Sequence, residues 1–384
     1  GTEVCAYFDH VMQRQFLPSG RVQYFPMCEY QGDRRFTSIV SGEAYEVKVN
    51  KKTVDATYMN VTVPSVRGPS YEVADGVQCM PLNDLPKVKQ PPAGYVVVGA
   101  GKTGMDASLW LLANQVDPDM ITWIMPRDSW LLDRAIIQPG SEFLDSTLGG
   151  IAKQMQAVAE SESMDEMFDA VCAAGQLLQF DKNVRPTMYR CATVTKAELE
   201  QLRRIKNIVR KGRVKRIGQT EIVLDQGRIP TSTDVLHVDC SADGLERRPV
   251  APIFDGDKMT LQTVRTCQQV FSAAFIAHVE AAYDDEAHKN QLCTVVPHPN
   301  TDLDWMRTTL SNAANGAIWA QDPNLQAWLK NARLDGFSQV GNSDEMSPEA
   351  QEKQKEAAAA LEQYGMPAAM KLQKYLAEAG AAAS

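Results

Sequence analysis

A glycine-rich turn in the first third of the chain has the residue types and spacing that suit the binding of a dinucleotide pyrophosphate. Its residues are Gly99, Ala100, Gly101, Lys102, Thr103 and Gly104. In a loop of this kind Gly99 allows a tight turn, Gly101 lets a pyrophosphate approach the backbone, and Gly104 permits close helix packing. The helix that follows would offer N–H groups and a partial positive charge to the phosphates. The alternative is a glycine-rich turn used only for packing.

The elements on either side of the turn favour the binding interpretation. A continuous apolar run, 95–98, precedes the turn, a helix is predicted from about Thr103 to Asn114, and a second apolar run covers 121–125. Strand, glycine turn, helix and strand together predict a dinucleotide-binding βαβ unit over residues 94–127. Gly101-Lys-Thr is not a P-loop, because that motif needs glycine at position 96, where this chain has valine.

Two charged residues after the second strand decide which nucleotide is expected. NAD sites usually place an acidic residue there to bind the ribose 2′-hydroxyl. Here the first charged residue is Arg127, whose guanidinium can pair with a 2′-phosphate, and Asp128 follows it directly. The order favours NADP(H). The alternatives are that Asp128 serves as the acidic residue of an NAD site, or that Arg127 is an ordinary solvated arginine.

Composition narrows the partners and the compartment. The net charge is −9 and the isoelectric point about 5.2, which disfavours nucleic acid and anionic membrane surfaces as partners. No apolar run approaches the roughly 20 residues of a membrane span. The eight cysteines include no C-x-x-C pair, which predicts buried free thiols in a reducing compartment, the cytoplasm, and disfavours a metal site. We expect a small-molecule substrate, and a homo-oligomer stays open.

Periodicity elsewhere alternates between helix and strand, which predicts an α/β chain. In the first quarter of the chain we expect an amphipathic helix over 4–16, short strands over 22–26, 36–40, 45–49 and 53–58, and a proline-punctuated linker or domain crossing over 64–92. After the βαβ unit we expect a helical insertion at about 140–190, a helix over 195–206 capped by Thr195 and Glu198, and an antiparallel meander over 208–229. The last part should contain a buried strand over 235–238, a helix over 271–283 and a surface or interface helix from 344 onward.

The segment Gly94-Tyr-Val-Val-Val-Gly-Ala-Gly-Lys-Thr-Gly-Met-Asp-Ala107 resembles the second Rossmann motif of two-dinucleotide-binding flavoproteins. The closest likeness is to flavin-containing monooxygenase-like oxidoreductases. Residues 53–65 and 235–245 are similar to the family's crossings between its two nucleotide domains, although Tyr58 stands where the family often has glycine. The resemblance is specific over 94–107 and loose elsewhere between 40 and 250.

This resemblance implies a Rossmann-like NAD(P)-binding domain inserted in a partial FAD-binding domain. Residues 1–93 would be the remainder of the FAD-type domain, 94–239 the NADP-binding domain with its helical insertion, 240–335 the return to the FAD-type domain, and 336–384 a helical tail. The implied activity is FAD- and NADPH-dependent, monooxygenase-like hydride transfer from NADPH to flavin. The cofactors would carry the chemistry, and no catalytic residue is predicted.

The family's first glycine motif, which binds the ADP half of FAD, does not precede residue 94. We therefore expect the sequence to be the remainder of a longer protein that is cut within its first domain. The alternative is that the protein has lost that half. Two other functions stay open: a flavin-independent NADP-linked reductase, and a catalytically inactive nucleotide-binding or interaction protein.

Overall fold

The computed structural model describes residues 2–138, 141–242, 244, 248–332, 334 and 347–383. The chain divides into two compact units. The first comprises Gly1–Val54 and Gly256–Met259, and the second comprises Asp55–Asp255 and Thr260–Ser384. The whole is a mixed α/β protein with several sheets.

The first unit opens with the predicted amphipathic helix. Helix α1 spans Thr2–Val11 and continues as a π-helix, Met12–Phe16, but its aromatic residues Tyr7 and Phe8 are 63% and 65% exposed. An antiparallel sheet follows, with strands β1 (Cys28–Gly32), β2 (Arg35–Ser38) and β3 (Ala44–Glu46). The strand predicted over 22–26 is wrong, because that segment is irregular and the sheet begins at Cys28. Strand β4 is Thr53–Asp55.

A five-stranded parallel sheet forms the centre of the second unit. In chain order its strands are β6 (Gln78–Pro81), β7 (Gly94–Val98), β8 (Ile121–Ile124), β11 (Asn207–Val209) and β15 (Val235–Asp239). Their order in space is β11-β8-β7-β15-β6, and every neighbouring pair is parallel. All carboxyl ends therefore meet at one edge. Every residue of β7 is buried, as expected for a strand covered on both faces.

Helices cover one face of this sheet and strands cover the other. On the first face, α2 (Lys102–Ala113) and α5 (Lys196–Leu202) contribute Leu111 and Leu199 to the same hydrophobic core as Trp123 of β8. The predicted capping box of α5 is confirmed. On the second face lies an antiparallel meander of β12 (Val214–Ile217), β13 (Glu221–Leu224) and β14 (Gly227–Pro230), with β5 (Glu72–Val73) pairing to β12.

Two predicted assignments around this sheet are wrong. Residues 207–209 do not belong to the meander, because Ile208 pairs with Trp123 and makes this run an edge strand of the parallel sheet. The proline-rich stretch is not only a linker, because it contains β6, the other edge strand. Proline is tolerated on an edge strand, where a ladder hydrogen bond can be absent, and Pro81 ends β6.

The region predicted to be helical, at about 140–190, contains the helices α3 (Leu148–Glu160) and α4 (Met164–Ala173). It is flanked by two parallel strands, β9 (Ser129–Asp133) and β10 (Met188–Val194). A second core holds this part together, with Trp130 stacked on Phe168 at a ring-centroid distance of 5.2 Å.

Two short strands follow in the chain, β16 (Phe254–Asp255) and β17 (Lys258–Thr260). The described part of the second unit after them is helical, with α6 (Gln269–Ala282), α7 (Glu286–Leu292), α8 (Asp302–Trp319), α9 (Pro323–Asn331) and α10 (Pro348–Ala383). One face of α10 buries Leu372 and Tyr375, and the Tyr375 hydroxyl lies 3.1 Å from Ser161 Oγ. Among the helices of the described residues, none combines the length and apolar character that a membrane crossing requires.

Candidate functional site

The glycine turn joins β7 to α2 at the carboxyl edge of the parallel sheet, and two of its glycines are sterically required. Gly99 has φ +125°, and a Cβ there would lie 2.4 Å from the carbonyl oxygen of Cys240. A Cβ at Gly104 would lie 2.1 Å from the carbonyl oxygen of Gly99. At Gly101, by contrast, no described atom lies within 4 Å of the position that a Cβ would take. The turn thus has two closely packed glycines and one open glycine between them.

The start of α2 faces this open position. Gly101 is the N-cap residue, so it has no side chain that could accept a hydrogen bond from the first-turn N–H groups. The indole Nε1 of Trp123 donates to the Gly99 carbonyl over 2.8 Å and fixes the turn. The N-terminal end of a helix carries a partial positive charge, so the open glycine adjoins a surface that favours an anion.

The other predicted turn residues, Ala100, Lys102 and Thr103, differ in their exposure and in their contacts. Ala100 is buried and Thr103 is exposed at the start of the helix. Lys102 directs its ammonium group along α2, where it pairs with Asp106 one helical turn later. Lys102 therefore lies beside the opening, but its positive charge is already paired with the carboxylate of Asp106.

Asp128 is committed to an ion pair inside the protein. The residue is 5% exposed, and its carboxylate accepts two hydrogen bonds from Arg210, over 2.7 Å from Nε and 3.0 Å from Nη2. Arg210 also lies 3.3 Å from Asp181. The hydrogen bonds that Arg210 donates to Asp128 raise the pKa of Arg210 above its ordinary value. Because both Asp128 oxygens serve this pair, the carboxylate is poorly placed to bind a ribose hydroxyl.

Arg127 lies beside a second arginine that sequence reasoning missed. Arg127 Nη2 lies 3.5 Å from the side-chain oxygen of Asn300, and Arg190 contacts the same oxygen, over 2.9 Å from Nε and 2.5 Å from Nη2. Burial, and then the charge of Arg190, hold the pKa of His298 below its ordinary value. Two guanidinium groups thus converge on one amide oxygen, beyond the end of β8. Arg190 and Asn300 are far from Arg127 in sequence, and no motif marks them.

The predicted return segment begins directly beside the turn. The backbone N–H of Cys240 donates to the Val98 carbonyl over 2.9 Å, which extends the pairing of β15 with β7. Asp239 is buried, and its Oδ1 accepts hydrogen bonds from the backbone N–H and the hydroxyl of Ser241. Asp243 and Leu245, which belong to the same predicted segment, lie outside the described residues.

The prediction that all cysteines are free thiols is wrong for two of them. Cys191 and Cys267 form a disulfide with a Cα–Cα distance of 6.5 Å, although they are 76 positions apart in sequence. The sequence contains no signal for this pairing, because it depends on how β10 packs beside the segment before α6. The other six cysteines are free. Within the described ranges, no group of three or more His, Cys, Asp or Glu side chains is arranged to hold a metal ion.

Comparison with known proteins gives relatives without an assigned activity. No protein-family model matches the chain. It is similar to uncharacterized proteins of Mycobacterium bovis and of two strains of Mycobacterium tuberculosis, each 56% identical over 332 residues. The matched region covers 86% of this chain and 62% of each relative, so the chain spans less than two thirds of the length of these proteins.

Proposed function

We propose that this chain binds NADP(H) at the turn 99–104 and supplies the pyridine-nucleotide half of a flavin-dependent, monooxygenase-like oxidoreductase. The observation that carries the proposal is the open position at Gly101, between two glycines that cannot be replaced without a clash. It lies at a helix start on the carboxyl edge of a parallel sheet, which is where open α/β sheets bind their ligands. A turn used only for packing has no need of an open, uncapped central glycine.

The choice of NADP(H) over NAD rests on the charges beyond β8. Asp128 forms an ion pair with Arg210, whereas Arg127 and Arg190 both contact the side-chain oxygen of Asn300. Two guanidinium groups form charge-assisted hydrogen bonds with phosphate oxygens, and a 2′-phosphate is the group that distinguishes NADP from NAD.

The nicotinamide, when bound, supplies hydride chemistry, and the residues of this chain place the nucleotide. The first-turn N–H groups of α2 would hold the pyrophosphate, and Gly101 would let it approach. The flavin part of the proposal is supported by the resemblance at 94–107 alone. In the part of the chain that the structure describes, no second strand–glycine turn–helix unit fits the ADP half of FAD.

The test of nucleotide binding is calorimetric titration of the full chain with NADP⁺ and with NAD⁺. We expect NADP⁺ to bind more tightly. Arg127→Ala should weaken NADP⁺ binding about 10-fold or more, the usual effect of losing a hydrogen bond to a charged group, and should leave NAD⁺ binding unchanged. Arg228→Ala, which removes an exposed arginine on β14, is the matched control for net charge. The proposal would be contradicted if neither nucleotide bound, or if Arg127→Ala lowered the affinity for NADP⁺ and for NAD⁺ equally.

The flavin part of the proposal is tested separately, on one of the mycobacterial relatives at its full length. We expect that protein to purify with flavin absorbance in the visible range and to oxidise NADPH. A colourless protein that still oxidises NADPH would favour the flavin-independent reductase instead. NADP⁺ binding without turnover would favour the catalytically inactive nucleotide-binding protein.

A further inference from the structure

The disulfide between Cys191 and Cys267 lies next to a residue of the candidate nucleotide site. Arg190, one of the two arginines at Asn300, directly precedes Cys191 on β10. Cys267 lies in the segment just before α6. Both cysteines are only partly buried, so a small reductant can reach the bond.

The strand is irregular where Arg190 and Cys191 occur. Tyr189 of β10 pairs with Trp130 of β9 and Thr193 pairs with Leu132, so three residues of β10 face one residue of β9. That one residue, Leu131, exchanges its backbone hydrogen bonds with Leu178 instead. Bulges of this kind change the direction in which a side chain points and occur often beside functional sites. Here the bulge carries Arg190 out of the ladder toward Asn300.

The backbone at both cysteines adopts a conformation that side chains other than glycine, asparagine and aspartate rarely take. Cys191 has φ +54° and Cys267 has φ +58°, both in the left-handed region. A strained backbone persists only where the surrounding structure enforces it. The covalent bond between these two residues is such a constraint, and its loss would let both segments relax.

We propose that the Cys191–Cys267 disulfide is a reversible thiol switch that controls NADP(H) binding by holding Arg190 on its bulge. This inference rests on the proposed function of the turn 99–104. In the oxidised state the bulge is locked and Arg190 faces Asn300 beside Arg127. In the reduced state Cys191 is released from Cys267, the bulge relaxes, and the guanidinium of Arg190 leaves the position that suits a phosphate.

The chemistry is thiol–disulfide exchange with a dithiol reductant. A thiolate of the reductant attacks one sulfur, the Cys191–Cys267 bond breaks, and a mixed disulfide forms. The second thiolate of the reductant then resolves it. Two electrons pass to the protein, Cys191 and Cys267 take up two protons as thiols, and the reductant leaves as a disulfide. A disulfide oxidant reverses the exchange.

The experiment uses the full chain in its air-oxidised form and after dithiothreitol treatment. Thiol titration in denaturant should count the six free cysteines before reduction and all eight after it. Calorimetry should then show NADP⁺ binding weakened about 10-fold by reduction and NAD⁺ binding unchanged, because only the 2′-phosphate contact is lost. Hydrogen exchange of residues 188–194 should speed up on reduction.

Two variants make the test specific. Cys191→Ser/Cys267→Ser should bind NADP⁺ like the reduced protein whether or not dithiothreitol is present. Cys172→Ser, which removes a free and partly buried thiol, should respond to reduction like the wild type.

The outcomes separate the switch from the proposed function. Equal NADP⁺ affinity in the oxidised and reduced forms, with the thiol count rising as expected, overturns the switch alone. Eight titratable thiols in the oxidised protein also overturn it. If neither nucleotide binds in either state, the proposed function is overturned and the switch with it.

Discussion

A methyl group added at Gly104 should destabilise the fold, whereas one added at Gly101 should leave stability nearly unchanged and weaken nucleotide binding. At Gly104 the new carbon would lie 2.1 Å from the Gly99 carbonyl oxygen, far inside the 3.5–4.0 Å that non-bonded atoms prefer. The obstacle is backbone and cannot rotate away, so α2 must move from β7. Overpacking of a core costs about 1–3 kcal/mol, and we expect Gly104→Ala to lie at about 3 kcal/mol.

At Gly101 the same change meets open space. The backbone there has φ −78° and ψ −179°, an extended conformation that alanine adopts without strain. Replacing such a glycine usually raises the free energy of unfolding by about 0.4–1 kcal/mol, because the unfolded chain has fewer conformations to lose. Alanine is a poorer N-cap than glycine, which offsets this gain, so we expect Gly101→Ala to stay close to wild-type stability. If a pyrophosphate approaches at this point, the same methyl group occupies its path, and NADP⁺ affinity should fall about 10-fold or more, as when a hydrogen bond to a charged group is lost.

Urea unfolding and calorimetric titration measure the two effects on the same preparations. Gly316→Ala is the matched control, because Gly316 lies inside α8, where no described atom would contact its new carbon within 4 Å. That variant should gain up to about 1 kcal/mol of stability and keep its NADP⁺ affinity. Wild-type NADP⁺ binding by Gly101→Ala would refute the approach of the pyrophosphate at this glycine. Wild-type stability of Gly104→Ala would refute the close helix–strand contact.

Three other predictions concern stability and are measured by urea unfolding. Arg210→Ala leaves the buried Asp128 carboxylate without its main partner and should lower the free energy of unfolding by about 3 kcal/mol. The double variant Arg210→Ala/Asp128→Ala should lose less, because no buried charge is left unpaired. Equal losses in the two variants would contradict the ion-pair argument. The Cys191–Cys267 disulfide closes a loop of 76 positions, so its reduction should lower the free energy of unfolding by about 4 kcal/mol. An unchanged free energy of unfolding would mean that the bond is absent from the folded protein. Burial lowers the pKa of His237 in the folded protein, so as the pH falls below about 6.5 the unfolded chain takes up a proton before the folded one does. The free energy of unfolding should therefore decline with falling pH until the pH passes the folded pKa. His237→Asn should remove this part of the pH dependence, and an unchanged pH profile would contradict the argument.

The βαβ unit was predictable because its signals are local. The apolar run 94–98, the spacing of Gly99, Gly101 and Gly104, and the second run at 121–124 occur within about thirty residues, and each has a direct backbone consequence. The helix over 196–202 was predictable for the same reason, since the Thr195–Glu198 capping box lies within one helical turn.

The features that were missed depend on contacts between distant segments. The run 207–209 is short and apolar, so periodicity does not distinguish a meander strand from an edge strand of the parallel sheet. The prolines around β6 are common to linkers and to edge strands. The disulfide and the contact between Arg190 and Asn300 join residues 76 and 110 positions apart, and a single sequence does not contain the packing that brings them together.

The adjacent residues Arg127 and Asp128 illustrate why the nucleotide preference needed the fold. In sequence either residue could have contacted the ribose, because both follow the second strand of the βαβ unit. The two side chains have different environments: Asp128 turns into the protein, where Arg210 binds both of its oxygens, and Arg127 approaches Asn300 and Arg190. The acidic residue that an NAD site needs is therefore present in the sequence but engaged in the structure. The positive charge on which an NADP site depends is reinforced by Arg190, from a strand more than sixty residues later. The proposed preference for the 2′-phosphate thus rests on the pair of arginines, which is why Arg127→Ala should lower the affinity for NADP⁺ more than the affinity for NAD⁺.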